Sequence, residues 1–270
     1  MSKVISVQGK AKEELKLPFQ FKELYRPDLI RRAALAIMSH QIKPEGVSEE
    51  AGKRQSSYFS KRRDRYRTTY GYGQSRTPRK VMSVKGSRFV TKGASVPQAV
   101  GGRKAHPAKV EKVSYEKINK KEKRKAIRSA ISATAIKDVV ESRGHKVENI
   151  KDFPIIIEEN IESIKKSKDV MELLKKLGLE KELERTKEKK VRAGKGKSRG
   201  RKYKRKTGPL FVVSKKCDLI NSAKNLPGVD VCKVKDLNLN LLAPGTNAGR
   251  LTIWSENSIK LLEEKKLFEW

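Results

Sequence analysis

The sequence predicts an α/β fold: a three-layer sandwich with a mainly parallel central sheet, plus a long extended basic loop. Two observations carry this expectation. Runs of four to six near-continuous apolar residues alternate with stretches of helical periodicity, the pattern of strands covered on both faces. Positive charge, in turn, is segregated into two segments with no sustained helical or strand period.

Taken in order, Val4 to Val7 reads as a further strand at a sheet edge. Pro27 fits the first turn of a helix whose spacing continues through Ile30, Ala34, Ile37, Met38 and Gln41 until Pro44 forbids it. Residues 51–108 hold 15 Lys and Arg against a single acid, Asp64, a net of +14. Their few apolar residues (Val81, Met82, Val84, Phe89, Val90, Val96, Val100) bury too little surface to offset the entropy of ordering the segment, so a partner must order it or it stays disordered.

A second helix is expected from Asn119, paired with Glu122 as a capping box, along the stripe Ile127, Ala130, Ile131, Thr134, Ala135 and Val139 to Gly144. Then follow a strand in Phe153 to Glu158, a helix from Ser167 to Gly178, strands in Pro209 to Val213, Val229 to Val234 and Arg250 to Trp254, a helix near Ser214 to Asn225, and a closing helix begun by Ser255. Between them, Arg185 to Pro209 carries 13 Lys and Arg against Glu188, a net of +12. The expected organisation is one globular domain, residues 1–50 and 109–270, with 51–108 inserted as a loop that penetrates its partner.

The whole chain has 270 residues, 65 Lys and Arg, 31 Asp and Glu, and a formal charge of +34. Such a chain repels itself unless anions are supplied, and nucleic-acid phosphates are the usual source. An acidic membrane would be met by a basic amphipathic helix or a lipid anchor; neither is visible, nor is an apolar run of about 18 residues or a secretory leader. The expectation is a cytoplasmic protein without a membrane partner. Cys217, Cys232, His40, His106 and His145 are too scattered for a zinc site, and both cysteines read as small buried hydrophobes.

Among motifs, Gly194-Lys195-Gly196-Lys197-Ser198 resembles the end of a P-loop, but the required first glycine falls on Val191 and the run precedes a strand. Gly71-Tyr72-Gly73 lies inside the basic loop and follows no expected strand. No Ser/His/Asp or Cys/His arrangement stands out, so no cofactor, small-molecule substrate or catalysis is expected.

The glycines beside Lys195, Lys197, Arg199, Arg201, Lys202, Lys204 and Arg205 let backbone approach phosphates while the cations reach neighbouring ones. Arg103 and Lys104 after Gly101-Gly102 follow the same logic. A flexible solvated linker is the blander alternative, disfavoured because so many cations would repel one another. In the loop, Tyr58, Phe59, Tyr66, Tyr70 and Tyr72 interleave with Lys53, Arg54, Lys61, Arg62, Arg63, Arg65 and Arg67, a composition that stacks on unpaired bases and binds phosphates. Tyr58 and Phe59 could instead anchor the loop base. Lys120, Lys121 and Lys123 oppose a helix dipole and so suit a phosphate partner, or simply a solvated helix end. The loop tip, midway between the flanking helices, holds Arg76, Arg79, Lys80, Lys85 and Arg88.

Gly102 to Pro107 (GRKAHP), Lys190 to Val213 (KVRAGKGKSRGRKYKRKTGPLFVV), Asn221 to Val231 (NSAKNLPGVDV) and Leu239 to Ile259 (LNLLAPGTNAGRLTIWSENSI) together resemble the fourth universal large-subunit ribosomal protein family in its archaeal and eukaryotic form. The resemblance covers nearly the whole chain. It implies a globular domain on the subunit's outer surface and a loop running through large-subunit ribosomal RNA to the narrow part of the nascent-peptide exit tunnel, which Arg76, Arg79, Lys80, Lys85 and Arg88 would border. Its implied partners are that RNA and neighbouring large-subunit ribosomal proteins, and its implied role structural, including subunit assembly. Eukaryotic members usually continue well beyond the position of Trp270, which favours the archaeal branch. An RNA-modifying or RNA-cleaving enzyme is the alternative; it would need a cofactor turn or carboxylate cluster at strand ends, where the connection before Leu210 is cationic.

Overall fold

Short parallel strands form the centre of the computed structural model, which describes residues 2–150 and 152–269. The elements run β1 Ser2–Ile5, β2 Ala11–Leu15, α1 Pro27–Ser39, β3 Arg79–Lys85, β4 Arg88–Gly93, α2 Lys120–Thr134, α3 Lys137–Ser142 and β5 Ile155–Ile157. They continue with α4 Ser167–Lys176, α5 Glu180–Lys187, β6 Lys189–Val191, β7 Tyr203–Arg205, β8 Leu210–Val213, α6 Leu219–Lys224, β9 Asp230–Lys233, α7 Leu239–Leu242, β10 Thr252–Ser255 and α8 Glu256–Glu264. The chain divides into two compact units, one made of the residues up to Gln41 and from Tyr115 onward, the other of Ile42–Ser114.

In the first unit six strands lie in the order β2-β1-β5-β10-β8-β9, all parallel except the β1–β2 pair. Side chains alternate between faces along a strand, and the register lines up two rows. Ile155, Ile253 and Phe211 stand side by side and pack under α4, α5 and α6 with Val170, Leu173, Leu174, Leu183 and Leu219. Ile156, Trp254, Val212 and Cys232 form the other row, packed under α1, α2 and α8 with Ile30, Ala34, Ile127, Ile131, Ile259 and Leu262. One sheet between two separate cores is the three-layer sandwich that the apolar runs predict.

Four local expectations are corrected. Val4 belongs to β1, but the edge is taken by β2, which folds back antiparallel on it. The helix expected from Asn119 to Gly144 is two, because Ile136 is extended (φ −97°, ψ 108°) and starts α3 afresh. Asn119 makes no side-chain cap bond; Glu122 instead pairs with Arg32 at 2.9 Å. Cys232 is buried, which pushes its thiol up to about 12, while Cys217 is only half-buried. By contrast, Ser255 caps α8 by accepting from the Ser258 backbone N–H at 3.2 Å.

The second unit is built around an antiparallel hairpin of β3 and β4, paired from Arg79 opposite Gly93 to Lys85 opposite Arg88 with a bulge between Val81 and Ser83. Gly86, at φ 56°, takes the first central position of the two-residue turn, where a left-handed backbone is needed. Tyr58 joins the hairpin edge through Tyr58 N–H to Arg79 O (2.9 Å) and Arg79 N–H to Tyr58 O (3.1 Å). Beyond β4, a Cβ on Gly102 would sit 1.9 Å from the Val96 carbonyl oxygen. The Gly102→Ala substitution is therefore expected to open the Val96–Gly102 turn, seen as faster exchange of the Gly102 amide, which bonds Ala99 O at 3.0 Å.

Candidate nucleic-acid interface

The second basic run folds as its own small hairpin. Lys189 faces Arg205, Lys190 faces Lys204, and Val191 faces Tyr203. Gly194 and Gly200, both at φ 78°, bracket the single helical turn Lys195–Arg199. Like charges directly opposite across a strand pair destabilise it, so the register costs stability that a bound anion would return. Lys195, Lys197, Arg199, Arg201, Lys202, Lys204 and Arg205 are all exposed. The Tyr203 ring lies under two ammonium groups, Lys189 at 4.7 Å and Lys202 at 5.6 Å.

Buried ion pairs hold the base of this hairpin. Glu182, fully buried on α5, accepts from His145 Nδ1 (2.7 Å), the Lys146 backbone N–H (3.0 Å), and Arg185 Nε (2.7 Å) and Nη2 (2.6 Å). Burial alone would raise this carboxyl, but the hydrogen bonds from Arg185 and His145 outweigh it and hold it at about 2. His145 is lowered, chiefly by burial, and as the neutral ring donates Nδ1–H to Glu182. Arg185 Nη2 also donates to Thr207 O at 2.6 Å, just past β7. One residue on, Gly208 O accepts from buried Arg250 Nε at 2.9 Å, and Arg250 pairs with Asp230 at 2.5 Å.

In the second unit Lys53, Arg54, Lys61, Arg62, Arg63, Arg65, Arg67, Arg76, Lys85, Arg88 and Lys104 are exposed, while Arg79, Lys80 and Arg103 are half-buried. Lys85 and Arg88 flank the hairpin turn. Among the described residues no carboxylate lies within 4.0 Å of a cation in 51–108 or 189–205.

Aromatic rings take part of that role. Tyr70 lies under both Arg63 (5.4 Å) and Arg76 (4.9 Å), and Arg67 lies over Tyr58 (5.9 Å) and Phe89 (5.7 Å). Tyr66 meets Phe89 edge-on yet stays 77% exposed, and Tyr72 is 70% exposed, so these two rings have faces open to a base. Phe59 is half-buried beneath Lys61, closer to the anchoring alternative. Sequence reasoning located the cations but missed Lys189 and Lys190, which the hairpin sets against Arg205 and Lys204. The two glycines at six-residue spacing, Gly194 and Gly200, were the available signal for a turn.

No helix among the described residues is long and apolar enough to cross a membrane. The model of the ribosomal protein L4/L1 family matches residues 15–265. The chain belongs to that family. It is 48% identical over 264 residues to the large ribosomal subunit protein uL4 of Nanoarchaeum equitans, covering 97% of both chains. The uL4 proteins of Methanosphaera stadtmanae (45% over 260 residues; 96% of this chain, 95% of that one) and Methanocaldococcus jannaschii (45% over 265 residues; 97% and 98%) are similar over the same extent. Membership in the L4/L1 family makes this a structural, non-enzymatic ribosomal protein, and the α/β domain with its parallel sheet is a scaffold rather than a catalytic unit.

Proposed function

We propose that this L4/L1 family member is a constituent of the large ribosomal subunit that binds large-subunit ribosomal RNA through its two basic segments and supports subunit assembly, working in the cytoplasm beside other large-subunit proteins. The observation that carries the reading is the β6–β7 register, which sets Lys189 against Arg205 and Lys190 against Lys204, while among the described residues the carboxylate beside them, Glu188, pairs with Lys206 instead. A fold that spends stability on such pairs is built for a polyanion. Tagged protein should co-sediment with large subunits in low salt and remain there in high salt once incorporated. Recovery only in the unbound fractions at both salt concentrations would overturn the assignment.

Residues 51–108 are then the RNA-penetrating loop, with Arg76, Arg79, Lys80, Lys85 and Arg88 bordering the nascent-peptide exit tunnel. The β3–β4 turn supports this by presenting Lys85 and Arg88 on a narrow two-stranded ribbon. Replacing Met82–Val90 by Asn-Gly closes the hairpin between the paired residues Val81 and Thr91 with a favoured two-residue turn. Subunits carrying this variant are expected to assemble, because most cations and the whole six-stranded sheet remain, and to respond differently to stalling peptides and tunnel-binding antibiotics. Normal assembly with unchanged responses would remove the tunnel assignment and leave RNA binding in place.

A further inference from the structure

A cavity of about 790 Å³ opens beside the β6–β7 hairpin, within the roughly 300–1,000 Å³ range of small-ligand clefts. Its lining includes Arg143, His145 and Arg185 together with Lys190, Lys204 and Arg205 of the hairpin. One carboxylate reaches it, Glu188, and that group is bonded to Lys206 at 3.0 Å.

Arg143 is the decisive residue. It is half-buried at the end of α3, and its guanidinium donates to backbone carbonyls only: Nη2 to Pro244 O at 2.6 Å, and Nη1 to Asn247 O and to Ala248 O at 3.4 Å. Three acceptors serve three of its five N–H groups. Among the described residues no carboxylate lies within 4.0 Å of it. Burial, followed by the like charges of Arg250 and Arg185, lowers it to about 10. The neighbouring guanidiniums each have an anion, Glu182 for Arg185 and Asp230 for Arg250. Arg143 has none.

We infer that this cavity is a phosphate site, in which a phosphoryl group seats against Arg143 and Arg185 while Lys190, Lys204 and Arg205 close over it from the hairpin. Planar guanidinium forks suit tetrahedral phosphate oxygens. The cavity lining sets this site apart from the exposed cations of the turn Lys195–Arg199, none of which lines it. The phosphoryl group can come from a free nucleotide or from ribosomal RNA; in the second case the inference rests on the RNA-binding reading above.

The test uses the full chain and two probes. Adenosine 5′-diphosphate is titrated by calorimetry in low salt, and transcribed large-subunit ribosomal RNA is examined by phosphate-ethylation interference. The variants are Arg143→Gln, the double variant Lys204→Gln/Arg205→Gln, and, as a control on α4 outside the cavity and both basic segments, Lys168→Gln/Lys175→Gln. The double variant changes only exposed side chains, so it keeps the test open if Arg143→Gln unfolds.

Binding of the diphosphate that weakens at least tenfold in the cavity variants, and less than twofold in the control, places a free-nucleotide site in the cavity. No diphosphate binding, with interference at one or two RNA phosphates erased by the cavity variants but not by the control, assigns the phosphoryl group to RNA. Absence of both effects overturns the site. If wild-type protein fails to bind the RNA at all, the functional reading falls, and the diphosphate titration still decides the cavity.

Discussion

Replacing Glu182 by alanine is expected to destabilise the α/β unit by about 3–5 kcal/mol, the usual cost of removing one partner from a buried ion pair. The substitution strips the acceptor from His145, the Lys146 amide and both Arg185 nitrogens at once, and it leaves Arg185 charged without its anion. Because Arg185 also donates to Thr207 O, the base of the basic hairpin loosens with it. Urea unfolding of wild type and variant measures the difference; a loss below about 1 kcal/mol would show that the cluster does not hold the unit together.

The same carboxylate sets an acid dependence. Its folded value of about 2 lies below the unfolded 4.5, so its contribution is complete above pH 4.5 and is lost as pH falls toward 2. The buried, lowered His145 acts in the same sense, weakening the fold as pH drops below its unfolded 6.5. Wild-type stability should therefore fall through this whole window on acidification, and the Glu182→Ala variant should lack the part between 4.5 and 2.

The second large effect is on RNA affinity. Neutralising Lys195, Lys197, Arg199, Arg201 and Lys202 together as glutamines is expected to reduce the slope of log affinity against log salt by up to about 4, at roughly 0.7–0.9 for each phosphate left without its cation. Wild-type affinity should itself drop by about 10³–10⁵ between 50 and 200 mM salt if six to ten phosphates are neutralised. Filter binding to large-subunit ribosomal RNA at several salt concentrations reads both. An unchanged slope in the five-site variant would exclude the turn Lys195–Arg199 and its flanks from the interface.

Much of the globular unit was legible because buried parallel strands are written as apolar runs. Ile155–Ile157, Leu210–Val213 and Thr252–Ser255 match the apolar runs that announce them. What escaped was carried by charged residues. The β2 sequence AKEEL and the α5 sequence EKELERTK show little apolar pattern, and their structure comes from pairing with β1 and from the buried Glu182 and Leu183. The β3–β4 hairpin was hidden by its cations, although Lys85-Gly86-Ser87-Arg88 between Val84 and Phe89 is a legible two-residue turn. Of the candidate interface, the identity of the cations was visible in composition. Which of them face one another, and that no carboxylate among the described residues lies within 4.0 Å of Arg143, depend on residues far apart in the chain.

During synthesis β10 emerges after the strands it joins, yet it is a central one, paired with β5 on one side and β8 on the other, and Trp254 within it is fully buried. Until residues 252–255 emerge, the halves of the sheet carrying β1–β5 and β8–β9 have no strand joining them, and both apolar faces lack their middle row. A chain terminated before Thr252 cannot complete either core, so only molecules that extend past Ser255 acquire the folded scaffold that holds the β6–β7 hairpin. Such late closure across a long stretch of chain slows folding, and it makes translation beyond β10 a condition for presenting the basic β6–β7 hairpin on a stable base.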